Sequence, residues 1–232
     1  MAAQGTITLI ALLPLALVLR NAPITSTNTS LANETPSGLP NSVITGWISI
    51  AVVFCCTCMA VPLMHLVPLI QGQGYSSPEA GSVLFTMLMV AILGRIAFGK
   101  LADMFGAIPA YLIASAWQTL LVFGFTYMSS LDSYYLYAAV YGFGYAGVMT
   151  GVLITARNLT APARRASSMG VILAFAYLGH GLGGWQGGYF FDLTGDYSWT
   201  YAIAAIAGVI NLVIVGALWL AVNRRPGAAV AA

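Results

Sequence analysis

Arg95 and His180 are the residues whose type and setting could do chemistry on a small solute. Arg95 is the only basic residue inside an otherwise apolar run. Gly81 to Leu93 carry no charge, and the run breaks downstream at Gly106 and Pro109. An arginine about two turns inside such a run is costly in lipid, so it should face a protein interior or a water-filled cavity. The alternative is that it snorkels to a nearby surface or pairs with Asp103. His180 stands mid-run, in Tyr177-Leu178-Gly179-His180-Gly181. A histidine can carry a proton near neutral pH, or it can be satisfied by a neighbouring helix, for example by a tyrosine hydroxyl. His65, between Pro62 and Pro68, reads as an interfacial histidine near a kinked helix end. Cys55-Cys56-x-Cys58 has no second half-site of zinc-ligand spacing, so the cysteines read as small apolar filler and no metal site is expected.

The surrounding chain belongs in a membrane. Of its 232 residues 59% are hydrophobic and only 6% charged, against about 25% charged in a soluble domain. Mean hydropathy is +0.88. Seven apolar runs, at about 5–20, 43–70, 80–102, 107–129, 133–157, 166–190 and 198–222, read as helices. A helix of about 20 residues crosses a bilayer, and the absence of strict alternation argues against a β-barrel. The first run lacks the basic leader of a secretory signal, and Arg20 follows it. With that run starting outside, Arg20, Lys100, Arg157, Arg164, Arg165, Arg224 and Arg225 fall on the cytoplasmic side, and Glu79, Asp132, Asp192 and Asp196 outside. The positive-inside rule rejects the reverse. The expectation is a multi-pass protein of the cell membrane, of bacterial inner-membrane type, with a cytoplasmic linker at 21–42 and a cytoplasmic tail at 223–232. The linker's sequons at Asn28 and Asn33 would be inert there.

A motif recurs. Gly99-x-x-x-Asp103-x-x-Gly106 returns as Gly188-x-x-x-Asp192-x-x-Gly195, at a constant offset of 89 residues. Three spans separate the copies, an odd number, so they are inverted across the membrane. Inverted three-plus-three repeats build each six-helix half of major facilitator transporters. In repeat coordinates His180 falls at Ala91, about one turn from Arg95.

At these residues the chain resembles the C-terminal half of a major facilitator transporter, helices seven to twelve, of the monocarboxylate or oxalate/formate type. The resemblance covers nearly all of the chain. Val61-Pro62-Leu63-Met64-His65-Leu66-Val67-Pro68 with Gly74-Tyr75-Ser76 is similar to helix seven and its outer loop. Gly94-Arg95 through Gly106 is similar to helix eight with its loop motif, and Gly187 through Tyr197 to the end of helix eleven. The first run, 1–20, is similar to the end of helix six. The resemblance implies an all-α integral membrane fold: one short helix, a first three-helix repeat at 43–129 and a second, inverted one at 130–222. It implies a secondary transporter, not an enzyme, for a small organic anion, a monocarboxylate or dicarboxylate, with proton coupling. Arg95 matches an arginine that binds the substrate carboxylate, and a guanidinium fork suits a carboxylate. Relatives that move organic anions often place a basic residue near His180. The sequence departs from the pattern in two respects. Met104, Ala107 and Ile108 stand where the loop motif has basic residues, and a complete member has twelve helices. The expected partners are therefore the bilayer, the anion, and an N-terminal half or a second copy. The competing reading is a truncated, non-transporting remnant or scaffold.

Tyr141, Tyr145 and Gln118, with Trp117, Trp185 and Gln186, are possible cavity residues, although aromatic and amide groups between membrane helices more often pack or bond across helices. Gly94-x4-Gly99-Lys100 imitates a phosphate loop, but Leu101 replaces the Ser or Thr. Gly142-x-Gly144-x-x-Gly147 and Gly179-x-Gly181-x-x-Gly184 imitate dinucleotide fingerprints within spans rather than at strand-to-helix turns. They read as small-residue helix contacts. No cofactor or nucleic-acid partner is expected, and neither a His-Glu-x-x-His nor a Gly-x-Ser-x-Gly motif occurs.

Overall fold

A computed structural model describes residues 35–224. The first apolar run, linker residues 21–34 and the tail from Arg225 lie outside the described residues. Without water to satisfy backbone groups, long apolar runs must fold as helices. Six do: α1 (Asn41–Gln71), α2 (Ser77–Phe105), α3 (Ala107–Val122), α4 (Leu131–Leu159), α5 (Arg165–Thr194) and α6 (Ser198–Asn223). A 3-10 segment, Phe123–Tyr127, extends α3. All six are long and apolar enough to cross a membrane, and no strand occurs among the described residues. α1 continues as helix through Pro62 and Pro68. Local chemistry sets several ends. Glu79 accepts from the Ser76 backbone N–H at 2.8 Å, boxing the start of α2. Ser130 and Ser133 cap α4 in the same reciprocal way.

Two helix pairs dominate the packing, and each is held by glycines at points of contact. Along α5, a β-carbon at Gly179 would collide with the Val53 carbonyl oxygen, and one at Gly183 would lie 2.6 Å from that of Thr57. The contacts ascend together along both chains, so α5 runs parallel to α1. Between α2 and α4 the glycines are reciprocal: Gly142 sits on the Met87 carbonyl and Gly94 on that of Phe143. This pair is also parallel. α3 is antiparallel to α4, with Trp117 over Gly144 and Tyr111 over Gly151. Cross-helix hydrogen bonds fix α3 to α6: Tyr111 Oη donates to Asn211 Oδ1 at 2.8 Å, and Asn211 Nδ2 donates to Ser115 Oγ at 3.0 Å. An aromatic cluster of Phe125, Tyr134, Tyr141 and Tyr201 fills the core between α3, α4 and α6.

The recurring motif ends a helix in both places. Gly106, at φ +92°, closes α2 with its N–H donating to the Ala102 carbonyl. Gly195, at φ +75°, closes α5 with its N–H donating to the Phe191 carbonyl. Positive φ is the reason for glycine there. Because α5 is parallel to α1, and the short loop at 72–76 turns α2 against α1, these two ends lie at opposite ends of the bundle. Over their central windows α1 and α4 each bury 56% and α2 and α5 each bury 28%, but α3 with its extension buries 50% and α6 33%.

The close α2–α4 approach yields a prediction. Gly94→Ala should destabilise the bundle by about 1–3 kcal/mol, because the backbone it meets cannot yield as a side chain would. Gly216→Ala, where an added β-carbon meets nothing within 4 Å, should be near neutral. Thermal unfolding in detergent measures both, and equal melting temperatures would refute the packing account.

Candidate functional site

Four helices enclose a cavity of about 240 Å³. α2 contributes Arg95, α4 Tyr145 and Met149, α1 Met59, and α5 Tyr177 and His180. Each basic residue directly follows a glycine that seats its helix: Gly94 on α4, and Gly179 on α1. Their backbones are thus placed by direct contact with the backbone of a facing helix, a precise way to hold a site.

Arg95 is exposed and lines the cavity together with Tyr145. No hydrogen bond or ion pair to Arg95 occurs among the described residues, Asp103 included. His180 is half-buried, with Nδ1 3.0 Å from the Ala176 carbonyl oxygen. The Tyr177 ring lies 6.5 Å away, centroid to centroid. No acidic side chain lines the cavity. The arrangement offers a fixed cation, a titratable ring and a phenol against an apolar remainder, which suits an organic anion. Two other hollows carry no charged side chain. One lies by Pro109, Asn158 and Trp219, the other by Phe54, Leu182 and Ile206.

The other sequence candidates separate clearly. Tyr145 lines the cavity, but Tyr141 and Gln118 do not. Both are fully buried: Tyr141 packs edge-on against Phe125, and Gln118 Nε2 donates to the Cys55 carbonyl at 3.2 Å. Tyr145 lies one turn beyond Tyr141 on the same face of α4, their rings 6.1 Å apart, and only Tyr145 reaches the cavity. Trp117 Nε1 donates to the Val140 carbonyl, and Gln186 Nε2 to that of Thr200. Trp185 is exposed and stacks on Tyr189. His65 is buried. Gly187 leaves room for its ring, and Nε2 lies 3.1 Å from the Gly184 carbonyl. Of the loop motif, Gly106 makes the turn while Gly99 and Asp103 line no cavity described above. Cys55, Cys56 and Cys58 are free and fully buried. Sequence reasoning missed Met59, Met149 and Tyr177. Only Tyr177 carried a signal, being one turn from His180 on the same helix.

The model of the Major Facilitator Superfamily matches residues 46–232, which takes in all six helices. The chain belongs to that superfamily. No curated protein matches it. As a major facilitator it is a multi-pass membrane protein of a transporter family, and its six long apolar helices are consistent with one half of the fold. In a transporter, a cavity bearing an arginine should be reachable from water. A cysteine placed at Arg95 or Tyr177 should therefore react with a membrane-impermeant thiol reagent. The buried native cysteines should stay silent, and so should Gln118→Cys in the core. Labelling in sealed and permeabilised vesicles checks this; failure at both cavity positions would mean that the cavity faces lipid.

Proposed function

We propose that this major facilitator chain is the C-terminal half of a proton-coupled secondary transporter for a small organic anion, with Arg95 and His180 in the substrate site. The observation that carries the reading is one cavity with two basic side chains from different helices and no acid. Once water is shut out of the site of an assembled transporter, a cation there needs a counter-charge. None is supplied among the described residues, so a solute carboxylate can supply it. Arg95 is the permanent charge, and its planar fork can take both carboxylate oxygens. His180 is the group able to gain a proton near neutral pH. Tyr145 offers a phenol to the same solute. The carboxylate class itself comes from the resemblance of this region to monocarboxylate and oxalate/formate transporters.

The two three-helix groups, 43–129 and 130–222, fit an inverted repeat. α1 corresponds to α4, α2 to α5 and α3 to α6. Under that exchange the α1–α5 pair becomes the α4–α2 pair and the motif ends exchange sides, and the two parallel glycine seams are consistent with it. Alternating access takes two such bundles rocking about a shared site. The partner is an N-terminal half or a second copy, and the basic loops support a cytoplasmic side for Gly106 and Arg224.

In an assembled transporter, Arg95→Lys should lower substrate affinity about tenfold or more, since a charge-assisted hydrogen bond is worth roughly 1.5–3 kcal/mol. His180→Ala should impair net proton-coupled uptake more than exchange. Radiolabelled carboxylate uptake and exchange in vesicles, corrected for inserted protein, measures both. Normal transport by both variants would remove these residues from the site.

A further inference from the structure

We propose that Met59 is the floor of the Arg95–His180 cavity and sets its selectivity, for an anion with a compact hydrocarbon body. This rests on reading the cavity as an anion site. The lining is graded by depth. Arg95 and Tyr177 are exposed and stand at the mouth, and His180 is half-buried. Met59, Ala146 and Ala176, from α1, α4 and α5, are only 2–4% exposed and form the bottom. Among the buried lining residues Tyr145 alone carries a polar atom.

A guanidinium at the mouth holds the carboxylate there, so the rest of the solute points inward. Against Met59 and the two alanines a methylene gains by leaving water. A hydroxyl in the same place gives up water and finds no partner. The alanines leave the space open and Met59 closes it. Ala146 and Ala176 have no atom beyond Cβ, whereas the methionine chain is long, unbranched and adaptable. Its backbone is fixed by the α1–α5 seam. A β-carbon at Gly183 would strike the Thr57 carbonyl oxygen and Ala60 Cβ, the residues on either side of Cys58-Met59. With the backbone held, the length of side chain 59 decides how deep a space of about 240 Å³ runs.

Unlabelled straight-chain acids, from acetate to octanoate, competing with radiolabelled carboxylate uptake by the assembled transporter read the profile. In the wild type, affinity should rise about fourfold with each methylene that enters the cavity, pass an optimum and then fall. Hydroxylated acids should compete less well than their parents of equal length. Met59→Ala, which removes Cγ, Sδ and Cε from the floor, should move the optimum to longer acids. Met59→Leu, of similar volume, should leave it in place. If Met59→Ala does not insert, Met59→Val should move the optimum the same way by a smaller step. A flat wild-type profile, or an unmoved optimum in a transporting Met59→Ala or Met59→Val protein, would overturn the floor and leave the anion site standing. Arg95→Lys should weaken every acid by one common factor without moving the optimum. If no carboxylate is taken up or competes, the anion-site reading fails and the floor with it.

Discussion

Everything in this bundle depends on how closely two backbones can approach. Between membrane helices there is little hydrophobic drive to associate, because lipid tails are as apolar as leucine. Dispersion contacts and cross-helix hydrogen bonds must do the work, and both grow as the helices close. At Gly94, Gly142, Gly179 and Gly183 a single β-carbon would strike a carbonyl of the facing helix. Those four positions set the α2–α4 and α1–α5 distances. Asn211, Ser115 and Tyr111 then tie α3 to α6 with hydrogen bonds that have no competing water.

The same seams place the polar chemistry. Arg95 and His180 each follow a seating glycine, so any shift of α2 against α4, or of α5 against α1, moves a charged group in the cavity. Coupling between helix motion and site geometry therefore follows from where the glycines stand, and calls for no separate relay.

The fold was legible because lipid makes it so. An apolar run such as Leu131–Leu159 has no option but helix, and Gly106 and Gly195 announce helix ends that only glycine turns easily. The cavity was half legible. Arg95 stood out because a lone charge in an apolar run needs an explanation, and Tyr145 was named among possible lining residues. Tyr141 and Gln118 were named with it, yet they pack into the core. Tyr141 and Tyr145 share one side of α4, and one sequence does not reveal at which turn along it the core gives way to the cavity. Met59 and Met149 were invisible for the opposite reason: a methionine in an apolar run looks like core wherever it points.

The absence of an acid beside Arg95 bears on mechanism as well as on binding. Had Asp103 closed on it, the guanidinium would be neutralised within the protein, and a solute anion would have to break an existing pair to bind. Eight residues, just over two helical turns, separate them along α2, and Asp103 lies in the last turn beside Gly106. The charge in the cavity is thus uncompensated by any described carboxylate, and its energy falls when an anion arrives. A site arranged in this way has a reason to be occupied before the two bundles of a transporter close over it. Closure would otherwise strand a desolvated cation, at a cost of several kcal/mol. Binding of the anion and permission to close would then be one electrostatic event, with the protonation of His180 adding to the same balance.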